Sequence, residues 1–98
     1  MSLAGAEAGA LRRAVVIVNQ RGLHARAAAK FVRMVGQFDA AVSVDNGSDE
    51  VSGLSIMGLM MLAASPGTEL VLKATGRQAT DVLEALSRLV AERFGEDE

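Results

Sequence analysis

The apolar residues of this chain switch period repeatedly, and that switching constrains the fold more than any other feature. Ala41–Asp45 (AVSVD) and Glu69–Thr75 (ELVLKAT) alternate apolar with polar, the pattern of strands with one buried face. Before and after them, Ala28, Phe31, Val35 and Phe38, and then Val82, Leu83, Leu86, Leu89, Val90 and Phe94, recur at three- and four-residue spacing. Such spacing is the stripe of an amphipathic helix. The β-branched run at 14–18 (AVVIV) reads as a central, well-buried strand. Asn46-Gly47 signals a two-residue turn into a third strand near Glu50–Ser52. Ser55 can cap a short helix that Gly58 weakens by about 1 kcal/mol, and Pro66-Gly67 enforces a turn. In the last helix Asp81 belongs to the first turns, Arg88 and Arg93 lie towards the end, and Gly95 terminates it.

The resulting order, β-α-β-β-α-β-α, has strands too short for a doubly wound parallel sheet. It predicts an α+β fold: one mostly antiparallel sheet with helices on one face. A chain of 98 residues makes one domain with a modest core. We expect that domain over 12–95, a flexible Ala/Gly-rich extension over 1–11 and an acidic tail over 96–98.

Composition then removes function classes. With no cysteine there is no disulfide, thiol catalysis or thiolate metal site. Three Phe and no Trp or Tyr provide no stacking platform, and a net charge of −2 provides no basic stripe, so nucleic acid is not an expected partner. No window resembles a signal peptide or a membrane span, which points to a cytoplasmic protein.

The chain has one histidine, His24, in the stretch GLHARAAAKFV at 22–32, with Arg26 two residues on. One imidazole cannot form a multi-histidine zinc site, and no neighbouring carboxylate supplies a second ligand, so no metal or cofactor is expected. A hydrolytic triad lacks its hydroxyl and its glycine elbow. What remains is histidine as nucleophile. At a strand-to-helix junction the first helical N–H groups are unpaired and attract anions. The positive helix end also disfavours imidazolium, leaving a ring nitrogen free to attack phosphorus. Arg26, early in the helix, can fold its guanidinium onto phosphate oxygens. No general base is needed where positioning and charge stabilisation dominate.

GLHAR followed by AAAKFV resembles the active-site segment of the HPr family, the histidine-containing phosphocarriers of the bacterial sugar phosphotransferase system. The segment SGLSIMGLMML at 52–62 resembles the regulatory-serine segment of the same family, at the family's separation. The likeness runs from about Arg13 to Phe94. It implies an open-faced sandwich of four antiparallel strands and three helices. It also implies that His24 takes phosphate from enzyme I and passes it to an enzyme IIA-type acceptor, that Arg26 stabilises the phosphate, and that an HPr kinase/phosphorylase modifies Ser55. Such a carrier, a monomer on this reading, is a substrate and donor more than an enzyme.

Met57, Met60 and Met61 suit an adaptable docking surface that a short helix cannot bury on every side. Where Ala27 stands, the family commonly has proline; alanine keeps the backbone N–H, and the departure leaves open a regulatory branch related to nitrogen metabolism. Two other classes compete with the carrier. One is a signalling module acting through Ser55-controlled docking, and the other is a small-molecule-binding domain that is never covalently modified.

Overall fold

A computed structural model describes residues 10–98. Its elements are β1 (Leu11–Val16), α1 (Ala25–Val35), β2 (Ala41–Asp45), β3 (Glu50–Ser52), α2 (Ile56–Met61), β4 (Glu69–Thr75) and α3 (Ala79–Ala91), followed by a 3-10 turn at Arg93–Gly95. The strands form one four-stranded sheet in the order β1-β4-β2-β3, with every pairing antiparallel. The α+β open-faced sandwich expected from the sequence is therefore the fold.

Period-two alternation puts Leu70, Leu72 and Ala74 of β4, Val42 and Val44 of β2 and Val15 of β1 on the covered face. They meet Ala28, Phe31 and Val35 of α1 and Val82, Leu86 and Val90 of α3 in a single core. The opposite face carries Lys73, which bridges Asp45 at 3.5 Å and Glu50 at 3.3 Å. A hydrogen bond from Ser43, with Lys73 beside it, holds the Glu50 carboxyl below the usual carboxylate range.

Three local expectations need correction. β1 is an edge strand, because it pairs only with β4, and it starts at Leu11 opposite Ala74 and stops at Val16. Its β-branched run is also half wet, because the helices cover only one face of the sheet: Val15 and Ile17 are buried while Val16 and Val18 are exposed. The β2–β3 connection spans 46–49 rather than two residues. The Asn46 side chain accepts from the N–H groups of Ser48 and Asp49, and the Asp45 carboxylate accepts from Gly47, so the polar side chains shape the wider turn. Lastly, α3 ends at Ala91 with Glu92 as its cap, which puts Arg93 and the buried Phe94 beyond the helix.

Of the expected extension over 1–11, residues 1–9 lie outside the described residues, and Leu11 already belongs to β1. Within 96–98, the expected acidic tail, Glu96 contacts Asn19 and His24, and Glu98 O accepts from Gln20 N–H.

Two glycines permit close approaches that shape the site. Gly22 has φ +67°, and a Cβ there would lie 2.2 Å from the carbonyl oxygen of Ala64, whose chain is locked to the next residue by Leu23 N–H donating to Ala64 O at 2.9 Å. At Gly58 a Cβ would sit 3.0 Å from Val51 Cβ and 2.9 Å from Ser55 Oγ. That glycine weakens α2 as a helix but lets it settle on β3.

Candidate functional site

His24 is the N-cap of α1, in extended backbone conformation. Its Nδ1 accepts a hydrogen bond from the backbone N–H of Arg26 at 3.2 Å, doing with a ring nitrogen what Ser or Asp ordinarily does with oxygen. Its Nε2 lies 2.5 Å from Oε2 of Glu96, 72 residues away. A nitrogen accepting from an amide carries no proton, and a nitrogen facing a carboxylate must donate one. A neutral imidazole making both contacts carries its proton on Nε2 and its lone pair on Nδ1. The ring side chain is 15% exposed.

Asn19 is fully buried beneath this pair. Its Nδ2 donates to Gly22 O at 2.8 Å and to Glu96 Oε1 at 3.0 Å, so the same amide braces the loop leading into His24 and the carboxylate that faces it. Partial burial pushes the Glu96 carboxyl up, but hydrogen bonds from His24 and Asn19, together with attraction to the charges that His24 and Arg21 can carry, outweigh it and hold the carboxyl below the usual range. Lys30 of α1 donates to Phe94 O, and Gln20 N–H donates to Glu98 O at 2.9 Å. These bonds fasten the chain end across the start of α1.

Arg26 occupies the first turn of α1, which contains no acidic residue. A cation at a helix N-terminus costs about 0.3–1 kcal/mol, a penalty that an incoming anion reverses. Arg21, Arg26 and Lys30 line one side of an open cleft of about 360 Å³ whose other side is the 95–98 segment.

Ser55 is the N-cap of α2, its Oγ accepting from Gly58 N–H at 2.9 Å, as its spacing predicts. α2 packs against α1, which joins the two halves of the surface. Met57 and Met61 are 72% and 78% exposed, and Met60, Leu54 and Ile56 extend the same apolar patch. Ala27 is fully buried within the first turn of α1.

The structure brings His24 and Arg26 together and adds two residues that sequence reasoning missed. Asn19 follows the 14–18 run with nothing in its neighbours to single it out, and Glu96 falls in the acidic tail expected over 96–98. The only signal for either was the apolar Phe94 ahead of the acidic end, an anchor that keeps the chain from leaving the surface.

No helix among the described residues is long and apolar enough to cross a membrane. The family model described as "PTS HPr component phosphorylation site" matches residues 11–92. The chain is 47% identical over 87 residues to the phosphocarrier protein HPr of Pseudomonas putida, an alignment covering 88% of this chain and 97% of that one. It is 42% identical over 88 residues to the phosphocarrier protein HPr of Cupriavidus necator, covering 90% and 99%. Among solved structures, HPr-C-His from Thermoanaerobacter tengcongensis superposes with a TM-score of 0.85 at 35% identity, covering 90% of this chain and 99% of that one. These matches run from β1 through α3 and include the segment that sets the imidazole at the start of a helix, so the chain belongs to the HPr family of phosphocarrier proteins of the phosphotransferase system.

Proposed function

We propose that His24 is the carrier residue and that Nδ1 is the atom that takes the phosphoryl group. The observation that carries this reading is the unequal contacts of the two ring nitrogens: Nε2 faces the Glu96 carboxylate, while Nδ1 faces the backbone N–H of Arg26 at the start of α1, the arrangement of a neutral ring with its lone pair on Nδ1. In transfer, Nδ1 attacks phosphorus, the bond from phosphorus to the donor breaks, and its electron pair leaves with the donor. The amides of the first turn and the Arg26 guanidinium meet the phosphate oxygens. Enzyme I is the donor and an enzyme IIA-type protein the acceptor, in sugar uptake within the cytoplasm.

Docking uses the apolar patch of Met57, Met60 and Met61 beside Leu54 and Ile56, an exposed and adaptable surface next to the imidazole-bearing helix. Ser55, capping the helix that carries those methionines, is the site of regulation by HPr kinase/phosphorylase. A phosphate of about −1.5 to −2 charges there changes the surface that acidic partners meet. The carrier domain begins with β1 at Leu11, takes in Glu96, and acts as a monomer. Intact mass after incubation with enzyme I and phosphoenolpyruvate tests the reading. One acid-labile phosphate, absent from His24→Ala, supports it, and an unmodified wild-type chain overturns it. For Ser55 the corresponding result is an ATP-dependent, acid-stable phosphate that Ser55→Ala lacks.

A further inference from the structure

The carboxylate of Glu96 reaches His24 only because the chain end is bent back by costly geometry. Arg93 and Phe94 have φ of +60° and +55°, and Gly95 follows at +79°. Two non-glycine residues in the left-handed region cost about 1–2 kcal/mol each, and such strain persists where surrounding structure enforces it. Here the enforcement is visible. Phe94 is buried in the core, Lys30 holds the Phe94 carbonyl, and Gln20 holds that of Glu98.

Asn19 adds a second, independent restraint. Fully buried, it commits its Nδ2 to Gly22 O and to Glu96 Oε1. The bend and the amide converge on one result, a carboxylate fixed against Nε2 of His24.

We infer that Glu96, oriented by Asn19, is a positioning residue for phosphoryl transfer through His24. The inference rests on the carrier reading above. The neutral imidazole keeps its Nε2 proton throughout the step. As the N–P bond forms at Nδ1 and the donor's bond to phosphorus breaks, positive charge develops on the ring, and Glu96 faces that charge from the far side. In the reverse sense, when phosphate leaves for the acceptor, the Nε2–H···carboxylate contact keeps the ring protonated at Nε2, so the departing group is an imidazole rather than an imidazolate. No proton has to be found or discarded at either stage, which is why the site needs no general base. The cations facing the pair, Arg21 and, from α1, Arg26 and Lys30, meet the phosphate side and the chain end.

The test compares wild type, Glu96→Ala, Glu96→Gln and the charge-matched control Glu92→Gln, all as full-length chains. Transfer from phosphorylated enzyme I should slow by about 10- to 100-fold in Glu96→Ala, the range for removing a carboxylate that orients a working imidazole. Glu96→Gln, whose amide oxygen still accepts from Nε2–H, should recover part of that loss, and Glu92→Gln should match wild type. The loss should lie in the maximal rate, with the concentration dependence on enzyme I unchanged. In wild type the His24 Nε2–H should give a downfield proton resonance sheltered from water exchange, and Glu96→Ala should lose it with the rest of the amide spectrum intact. If Glu96→Ala transfers at the wild-type rate, or keeps the sheltered proton, the inference is overturned. If wild type itself takes no phosphate, it is the carrier reading that falls.

Discussion

Gly22→Ala is the most informative single change to the scaffold that holds His24. The added methyl group would sit 2.2 Å from Ala64 O and 3.2 Å from Ser65 Cα, both backbone atoms that cannot swing aside. Relieving that clash means parting the 22–24 segment from the 62–65 segment, at a cost of about 1–3 kcal/mol for an overpacked site. The left-handed φ adds about 1–2 kcal/mol. Gly47→Ala provides the reference. Its φ is +98°, even less suited to alanine, but nothing lies within 4 Å of the new Cβ, so it bears strain without a clash. Both variants carry left-handed strain, and only Gly22→Ala adds a clash. Gly22→Ala should melt below Gly47→Ala, by about 4–8 °C for each kcal/mol by which the clash exceeds the extra strain at Gly47. Thermal unfolding followed by far-UV circular dichroism measures both. Because the Leu23 N–H to Ala64 O bond breaks as the segments part, Gly22→Ala should also transfer phosphate more slowly while Gly47→Ala does not. Equal melting temperatures would refute the claim that close backbone approach, rather than torsional freedom, requires glycine at this position.

Phe94→Ala empties a buried ring site and should cost about 3–5 kcal/mol in denaturant unfolding, with the sheltered His24 Nε2 proton lost well before the midpoint. Arg26→Ala should slow phosphoryl transfer at least tenfold in a stopped-flow assay yet leave the unfolding free energy within about 0.5 kcal/mol of wild type, as expected of an exposed side chain. Ser55→Ala removes the cap of α2 and should cost about 1 kcal/mol in chemical unfolding, while His24 phosphorylation continues. The Glu96 carboxyl is held low in the folded chain, so its contribution to stability is complete above its unfolded value and is lost as pH falls through the lower folded value. Protection of the 96–98 amides should accordingly fade on acidification, later in wild type than in Asn19→Asp, which replaces a donor with a like charge.

Alternation made β2 and β4 legible, since each has one face in the core and one open, the Asn46-Gly47 turn signal did so for β3, and helical spacing for α1 and α3. The run at 14–18 misled because β-branched residues mark a strand without saying how many neighbours it has. The pairing of β1 with β4 alone is a decision of topology. His24, Arg26 and Ser55 were legible because each is fixed within a turn of its own helix. Glu96 was not: its partner is 72 residues distant, and the bend that returns it uses left-handed Arg93 and Phe94, residues that local propensity assigns elsewhere. Asn19 shows the same limit, since a buried asparagine betrays itself only through the carbonyl and carboxylate that the fold places around its amide.

The most direct test of the account is which ring nitrogen bears phosphorus. Uniformly 15N-labelled protein, phosphorylated with enzyme I and phosphoenolpyruvate and studied by 15N–31P correlation, should show coupling at Nδ1 of His24 with Nε2 still protonated. Phosphorus on Nε2 would mean that Glu96 is displaced rather than kept, and would contradict the chemistry derived from this site.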